Sequence, residues 1–271
     1  MSQYAVVGNP VKHSKSPLIH SLFARQTGHA LTYEAIQVEE DGFDSFVTNF
    51  FASQGSGLNI TVPYKEKAFA LATTCTPRAS LAKAVNTLFL DAEKLLCGDN
   101  TDGVGLVTDI KNNHGFELQN KKVLILGAGG AVRGTLAALV FEQLASITIA
   151  NRTVSRAEQL KREFGDLCDM QAIGYEGLGS EKFDLIINGT SLSLSGEIPA
   201  IKPAQLAPDC CCYDMMYAST DTVFVNWARL NGAALSLDGL GMLVEQAAEA
   251  FAIWRNIRPD TAAVIDQLRV R

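Results

Sequence analysis

The stretch KKVLILGAGGAVRG, residues 121–134, constrains the fold more than any other part of this chain. A short apolar run passes at once into glycines and then into a helix-forming segment. Strand, glycine turn and helix in that order favour a doubly wound parallel sheet with a phosphate-binding corner. Gly127 suits the tight turn, and Gly129 and Gly130 let backbone approach a pyrophosphate closely. The helix beyond supplies N–H groups and a partial positive charge. The match to G-x-G-x-x-G is incomplete, because Val132 takes the sixth position. An ordinary strand-to-helix turn is therefore the competing explanation.

Around this corner, strands and helices alternate along the chain, the pattern of an α/β architecture with largely parallel sheets. In the first hundred residues the strands are YAVVG, LTYEAIQV and GLNITV, each followed by a helix. AVNTLFL and KLLCG then read as a hairpin joined by Asp91 to Glu93. From about residue 104, helix VGLVTDIKNN leads to KKVLILG, after which strands SITIA, FDLIIN, CCCYDM and ALSL alternate with helices. The helices LGMLVEQAAEAFAIWRN and TAAVIDQLRV exceed what the second sheet needs, so they are expected to return to the first domain. The division is thus 1–103 with 238–271 as one domain, and 104–237 as an inserted nucleotide-binding domain. A length of 271 residues accommodates two such domains, each with its own core.

The net charge of −6 argues against a nucleic-acid partner but leaves room for a local basic site. No apolar run reaches the roughly 20 residues that span a bilayer. The start, MSQYAVVGNP, lacks the basic and apolar segments of a signal peptide, so the expected location is the cytoplasm. The six cysteines and four histidines show no metal-ligand spacing, and no metal is expected. The run Cys210, Cys211, Cys212 reads as small apolar filler in a reducing compartment.

The segment ITIANRTVSR, residues 147–156, decides which dinucleotide fits. About twenty residues past the glycine turn, such folds usually place an acid on the ribose 2′-OH. Here Asn151 and Arg152 hold that place, with Arg156 four residues on. An acid would repel a 2′-phosphate, whereas guanidinium groups pair with phosphate oxygens and stack on adenine. Thr153 adds a hydroxyl or caps the helix that follows. The pattern favours NADP(H) over NAD(H), against the plainer reading of two solvated arginines.

GLNITVPYKEKA, residues 57–68, carries the candidate chemistry. Asn59 and Thr61 lie two apart on a strand and so share a face. Lys65 opens a helix, where a cation is electrostatically misplaced. GDNTDG, residues 98–103, supplies a carboxylate, Asp102, which would otherwise serve as a helix N-cap. A lysine and a carboxylate facing each other make an acid–base pair for hydride transfer at an alcohol carbon. Ser16 before Pro17 fits an N-cap, whereas Ser14 has no such structural role. With Asn86 and Gln246, these hydroxyls and amides suit a small polyhydroxylated ligand.

The pieces GNPVKHSKSP, NITVPYKE, AVNT, GDNTDG, LGAGGAVRG, NRTVSRA, INGTS, YDMMY and DGLGMLVEQAAEAF, in this order over nearly the whole chain, resemble shikimate dehydrogenases. The resemblance implies reversible NADPH-dependent reduction of 3-dehydroshikimate to shikimate, an active site in a cleft between two α/β domains, and a monomer or homodimer. It implies Lys65 and Asp102 as the catalytic pair. Ser14, Ser16, Asn59, Thr61, Asn86, Tyr217 and Gln246 would complete the substrate site, with Ser14, Ser16 and Tyr217 on the carboxylate. Gly127, Ala128, Gly129, Gly130 and Ala131 match the pyrophosphate turn. Asn151, Arg152, Thr153 and Arg156 match the 2′-phosphate site, and Thr190, Met215, Gly239 and Met242 line the rest of the cofactor.

Three features depart from the family pattern. Gly189 stands where alanine is common, and the missing methyl is expected to loosen a turn near the cofactor. Val223 stands where proline is frequent, and the cysteine run is unusual. Two alternatives remain at this stage. One is a quinate/shikimate dehydrogenase preferring NAD, which would carry an acid near residue 151. The other is a non-catalytic NADP(H)-binding regulatory protein on the same fold, which would lose the lysine or the aspartate.

Overall fold

A computed structural model describes residues 2–270. The chain divides into two compact units. One runs up to Gly105 and resumes over Val244–Val270; the other is Leu106–Leu243.

In the first unit, β1 (Ser2–Gly8), β2 (Leu31–Gln37) and β3 (Gly55–Ile60) are parallel and are joined by α1 (Ser16–Thr27) and α2 (Phe43–Ala52). Pro63 cannot donate to a ladder, so β3 ends before it, and α3 (Lys65–Leu71) follows. Next come β4 (Thr74–Cys75), α4 (Pro77–Ala82) and the hairpin β5 (Thr87–Leu90) and β6 (Leu96–Asp99). The sheet order is β2-β1-β3-β5-β6-β4. It is mixed rather than parallel, because β5 runs antiparallel to both β3 and β6. A two-residue strand and a six-residue helix, β4 and α4, are too short for apolar periodicity to show in the sequence. Ala5, Val7, Leu58, Ile60, Val85 and Leu88 pack against Phe43, Val47 and Tyr64 to form this unit's core.

α5 (Asp102–Thr108) leads from the first unit into the second, and its last turn widens to a π-helical one over Asp109–Asn113. Then follow β7 (Lys122–Leu126), α6 (Gly130–Leu139), β8 (Ser146–Ala150), α7 (Val154–Phe164), β9 (Met170–Ile173), β10 (Phe183–Asn188), β11 (Leu206–Asp214), α8 (Val223–Leu230) and β12 (Leu235–Leu237). All six strands are parallel, in the order β12-β11-β10-β7-β8-β9. The chain winds one way from β7 through β9, then returns and winds the other way from β10. Its switch point lies between the C-terminal ends of β7 and β10, where such sheets bind ligands. β9 has four residues of which only Met170 is buried, too little to mark a strand in the sequence.

Cys210 and Cys212 on β11 join the core of this sheet with Leu124, Leu126, Ile186 and Phe224. Cys211 is also buried. Burial pushes the Cys211 thiol up to about 12, and a hydrogen bond with Cys210, followed by burial, raises Cys212 well above its ordinary value, which leaves both unreactive. After β12 come α9 (Leu240–Arg255) and α10 (Ala262–Arg269). The boundary between the units falls inside α9, after Leu243. Among the described residues no helix is long and apolar enough to cross a membrane.

Candidate active site

The polar residues of the first unit converge at the ends of β3, β5 and β6. Lys65 is the first residue of α3 and Asp102 the first of α5. Their side chains meet at 2.5 Å, Lys65 Nζ donating to Asp102 Oδ2, with 24% and 12% of the side chains exposed. This pair is therefore reachable by a ligand yet largely shielded from water. The other carboxylate oxygen, Oδ1, accepts from Asn86 Nδ2 at 2.8 Å. Both oxygens of Asp102 are thus engaged by side chains, and Asp102 is the first residue of the helix. The Asp102 backbone N–H is met instead by Asn100 Oδ1 at 3.2 Å.

Gln246, on α9, presents Oε1 to Asn86 Nδ2 and Thr101 Oγ1, each at 3.4 Å. Asn59 is buried on β3, and Thr61 lies just past the strand's end, half-buried. Ser14 donates to Ser16 Oγ at 3.2 Å and accepts from the Ser16 backbone N–H. Ser16 caps nothing. Lys15 holds the N-cap position, and Ser16 is already helical. The N-cap reading of Ser16 is thereby corrected, and its hydroxyl is left to the cluster. Lys65, Asp102, Asn59, Asn86, Gln246, Ser14 and Ser16 all belong to this unit, whereas Tyr217 belongs to the second, beyond β11.

Several residues here escaped the sequence reading. Tyr33, on β2, donates to Asn59 Oδ1 at 2.7 Å, and burial pushes its own hydroxyl well above its ordinary value. His20 stacks on Tyr33 with centroids 4.2 Å apart. Burial drives its pKa down to about 3; Asn59 weakly opposes this, though neither ring nitrogen reaches hydrogen-bonding geometry. Arg78 grips Asp99 through Nε at 2.7 Å and Nη2 at 2.6 Å, and also reaches Glu249 on α9. That clamp fixes the loop that delivers Asp102.

In the second unit, Gly127 has φ +105, a conformation side chains rarely adopt. It brings the β7 turn against Gly189 and Thr190 at the end of β10. Added Cβ atoms at Gly129 and Gly130 would meet nothing within 4 Å. The turn thus leaves open space in front of the α6 N-terminus, as a pyrophosphate requires. Asn188, wholly buried, donates to Asp214 Oδ1 at 3.0 Å and accepts from Thr190 N–H and Oγ1. Asp214 also accepts from Ser193, Thr222 and the Met216 N–H. Burial raises its carboxyl, and these donors partly hold it down. The network sets the Thr190 turn and the start of the Met215 segment. Gly239 passes so close to the Met215 carbonyl that a side chain there would overlap it, while Met242 N–H donates to Tyr213 Oη at 3.2 Å.

At the end of β8, Asn151 turns back on Thr153 O at 2.8 Å. Thr153 holds the N-cap position of α7 but makes no side-chain cap bond. Arg152 and Arg156 are exposed, the first turn of α7 holds no acid, and neither arginine has an ion-pair partner among the described residues. Ala128 and Ala131 flank the glycine turn. The residues present therefore fit an NADP-type dinucleotide, with two free guanidiniums where a 2′-phosphate would lie. No group of three or more His, Cys, Asp or Glu among the described residues could hold a metal.

Two of the departures take a different meaning here. Gly189 leaves no slack, because Val132 Cγ2 occupies the place where an alanine methyl would sit. The expected loosening of the turn is corrected: the valine in the glycine turn and the glycine at 189 are one compensating pair. At Val223, the neighbouring Thr222 caps α8 by accepting from Val225 N–H, so the helix start does not depend on a proline.

Against known proteins, the chain is 55% identical over 98% of its length, and 98% of the relative's, to a shikimate dehydrogenase (NADP(+)) of Alkalilimnicola ehrlichii. The chain belongs to the shikimate dehydrogenase family. Profiles of the shikimate dehydrogenase substrate binding domain, the shikimate / quinate 5-dehydrogenase and the shikimate 5′-dehydrogenase C-terminal domain match residues 6–88, 109–195 and 239–269. Among solved members of this fold, an Ael1 enzyme from Pseudomonas putida superposes with TM-score 0.94 at 43% identity, covering 100% of this chain and 99% of that one. The shikimate 5-dehydrogenase of Thermus thermophilus, solved with NADP(H) and shikimate, superposes with TM-score 0.87 at 31% identity, covering 100% and 99%.

Proposed function

We propose that this chain catalyses the reversible NADP(H)-dependent interconversion of 3-dehydroshikimate and shikimate. The observation that carries the reading is the 2.5 Å contact of Lys65 with Asp102, set among Asn86, Gln246, Asn59 and the Ser14–Ser16 pair. The names of its relatives point the same way. In this reading the first unit, expected over 1–103 with 238–271, binds substrate, and the second, expected over 104–237 and extending to Leu243, binds the dinucleotide. Six unpaired cysteines suit a reducing, cytoplasmic setting.

When bound, the nicotinamide supplies or accepts a hydride at the carbon that carries the reacting oxygen. The chain's own residues do the rest. Lys65 Nζ gives a proton to that oxygen in reduction and takes one in oxidation. Asp102 holds the ammonium in place and balances its charge, and Asn86 holds Asp102. Ser14 and Ser16, with Tyr217, bind the substrate carboxylate through neutral hydroxyls. Asn59, Thr61, Asn86 and Gln246 bind ring hydroxyls, and this fixes which hydroxyl faces Lys65. Gly127, Ala128, Gly129, Gly130 and Ala131 receive the pyrophosphate on the α6 N-terminus. Asn151, Arg152, Thr153 and Arg156 hold the 2′-phosphate and adenine, while Thr190, Met215, Gly239 and Met242 line the nicotinamide or adenosine side.

The decisive experiment is a spectrophotometric assay of NADPH formation from shikimate and NADP+, with quinate and NAD+ as controls. Fast turnover with shikimate and NADP+ alone is the expected result. Preference for quinate with NAD+ would overturn the reading in favour of the NAD-linked relative, against which the unpaired Arg152 and Arg156 already speak. Binding of NADPH without turnover would leave the non-catalytic alternative.

A further inference from the structure

Thr87 is fully buried at the start of β5, directly across from Asn59 on β3. Its hydroxyl accepts from Asn59 Nδ2 at 3.2 Å and donates to Asn86 Oδ1 at 2.9 Å. It thus links the side-chain amides of Asn59 and Asn86.

The direction of this link is not free. Asn59 Nδ2 also faces the Asn86 backbone carbonyl at 3.2 Å, which can only accept. Asn86 Oδ1 also faces the Thr101 backbone N–H at 2.9 Å, which can only donate. Each amide orientation is therefore set by a main-chain group, and the Thr87 proton must point from Asn59 toward Asn86. The same logic turns Asn59 Oδ1 toward the Tyr33 hydroxyl. A single chain of donors results: Tyr33 to Asn59, Asn59 to Thr87, Thr87 to Asn86, and Asn86 to Asp102, whose other oxygen receives Lys65. Hydrogen bonds in such a chain polarise one another, and a buried link left unmade costs more than an exposed one.

We propose that Thr87, with Tyr33 at the head of the chain, is a positioning residue that, together with the Thr101 N–H and the Asn86 carbonyl, holds Asn86 Nδ2 on Asp102 and Asn59 Oδ1 on the Tyr33 hydroxyl. It touches no substrate and acts only through the two amides. The inference rests on the assignment of Lys65 and Asp102 as the proton-transferring pair. Its consequence for recognition is that Asn59 offers a ligand hydroxyl an acceptor, its two N–H bonds being already spent inward.

Thr87→Val keeps the shape and removes the hydroxyl, and Thr87→Ser keeps the hydroxyl. Loss of a buried hydrogen-bond link predicts a fall in kcat of about tenfold for the valine variant. Its KM for NADP+ should not change, and the serine variant should recover to within about threefold of the parent. Tyr33→Phe should move kcat in the same direction by less. Proton–nitrogen spectra of the side-chain amides provide a readout that needs no turnover. The Asn86 pair should shift and exchange faster in Thr87→Val but not in Thr87→Ser. Unchanged kcat and amide signals in the valine variant would overturn the proposal. So would a serine variant as impaired as the valine one, which would assign the effect to packing of the methyl. If the parent protein fails to turn over shikimate, the functional reading falls, and the amide spectra still decide the orientation.

Discussion

Replacing Gly189 by alanine, the residue common in the family, should harm this chain unless Val132 changes with it. The backbone at Gly189 is not in the left-handed region, so the cost is purely one of space. An added Cβ would overlap Val132 Cγ2 and lie 3.3 Å from Met215 Sδ and 3.4 Å from the Leu126 carbonyl. Val132 is fully buried on α6, and a valine in a helix has essentially one χ1 rotamer, so it cannot swing aside. Overpacking of this kind costs about 1–3 kcal/mol. Val132→Ala alone removes two buried carbon groups, about 1.6 kcal/mol before any cavity term. In the double variant the new methyl fills the vacated place, so the two costs should cancel in part, with a coupling of about 1–3 kcal/mol. Urea unfolding of the four proteins measures this directly. The turn also faces the cofactor corner, so KM for NADP+ should rise in Gly189→Ala and recover in the double variant. Strictly additive stabilities would refute the compensation argument.

Removing the candidate acid–base group by Lys65→Ala should lower kcat by roughly 10²–10⁴-fold while shikimate still binds, as calorimetry would show. Removing Arg152 or Arg156 should weaken NADP+ by about 10–100-fold each, the worth of a charge-assisted hydrogen bond, and leave NAD+ unaffected in the same assay. His20 sets an acid limit on stability. Its folded pKa of about 3 lies below the ordinary 6.5, so the unfolded chain takes up a proton that the folded chain refuses. That stability is complete above 6.5 and falls by about 1.4 kcal/mol per pH unit toward 3. Denaturant unfolding at pH 7 and pH 5 should differ by about 2 kcal/mol from this group, a difference that His20→Gln should abolish.

The elements with a clear apolar run were legible: β7, β8, β10 and β11 each bury four or more residues and stand out as strands. β9 was not, because MQAI at a sheet edge carries too little buried surface to leave a pattern. The site was legible wherever a residue looked wrong for its local structure, as with a lysine at a helix start or arginines where an acid belongs. Thr87 and Tyr33 gave no such signal. Both are ordinary β-formers by composition, and only the register that sets Thr87 opposite Asn59 and the hydrogen bond from Tyr33 to Asn59 reveal them. Val132 and Gly189 read as two separate irregularities 57 positions apart because nothing in one dimension joins the ends of β7 and β10.

The second unit is inserted into the first, and this dictates an order of assembly. Trp254 packs on Tyr4 at 4.7 Å and donates to the Leu88 carbonyl, and Phe251 lies edge-on to Phe23. Arg255 reaches Ser2 across 253 positions of chain. Strand β1 therefore waits for the later-made helix α9 to cover it, while Leu106–Leu243 is contiguous and precedes residues 244–270. Domains usually fold in the order of their synthesis. Here the unit Leu106–Leu243, second in sequence, should protect its amides first in a pulse-labelled nascent chain. The unit carrying Lys65 and Asp102 should remain open to proteases until residues 244–270 emerge.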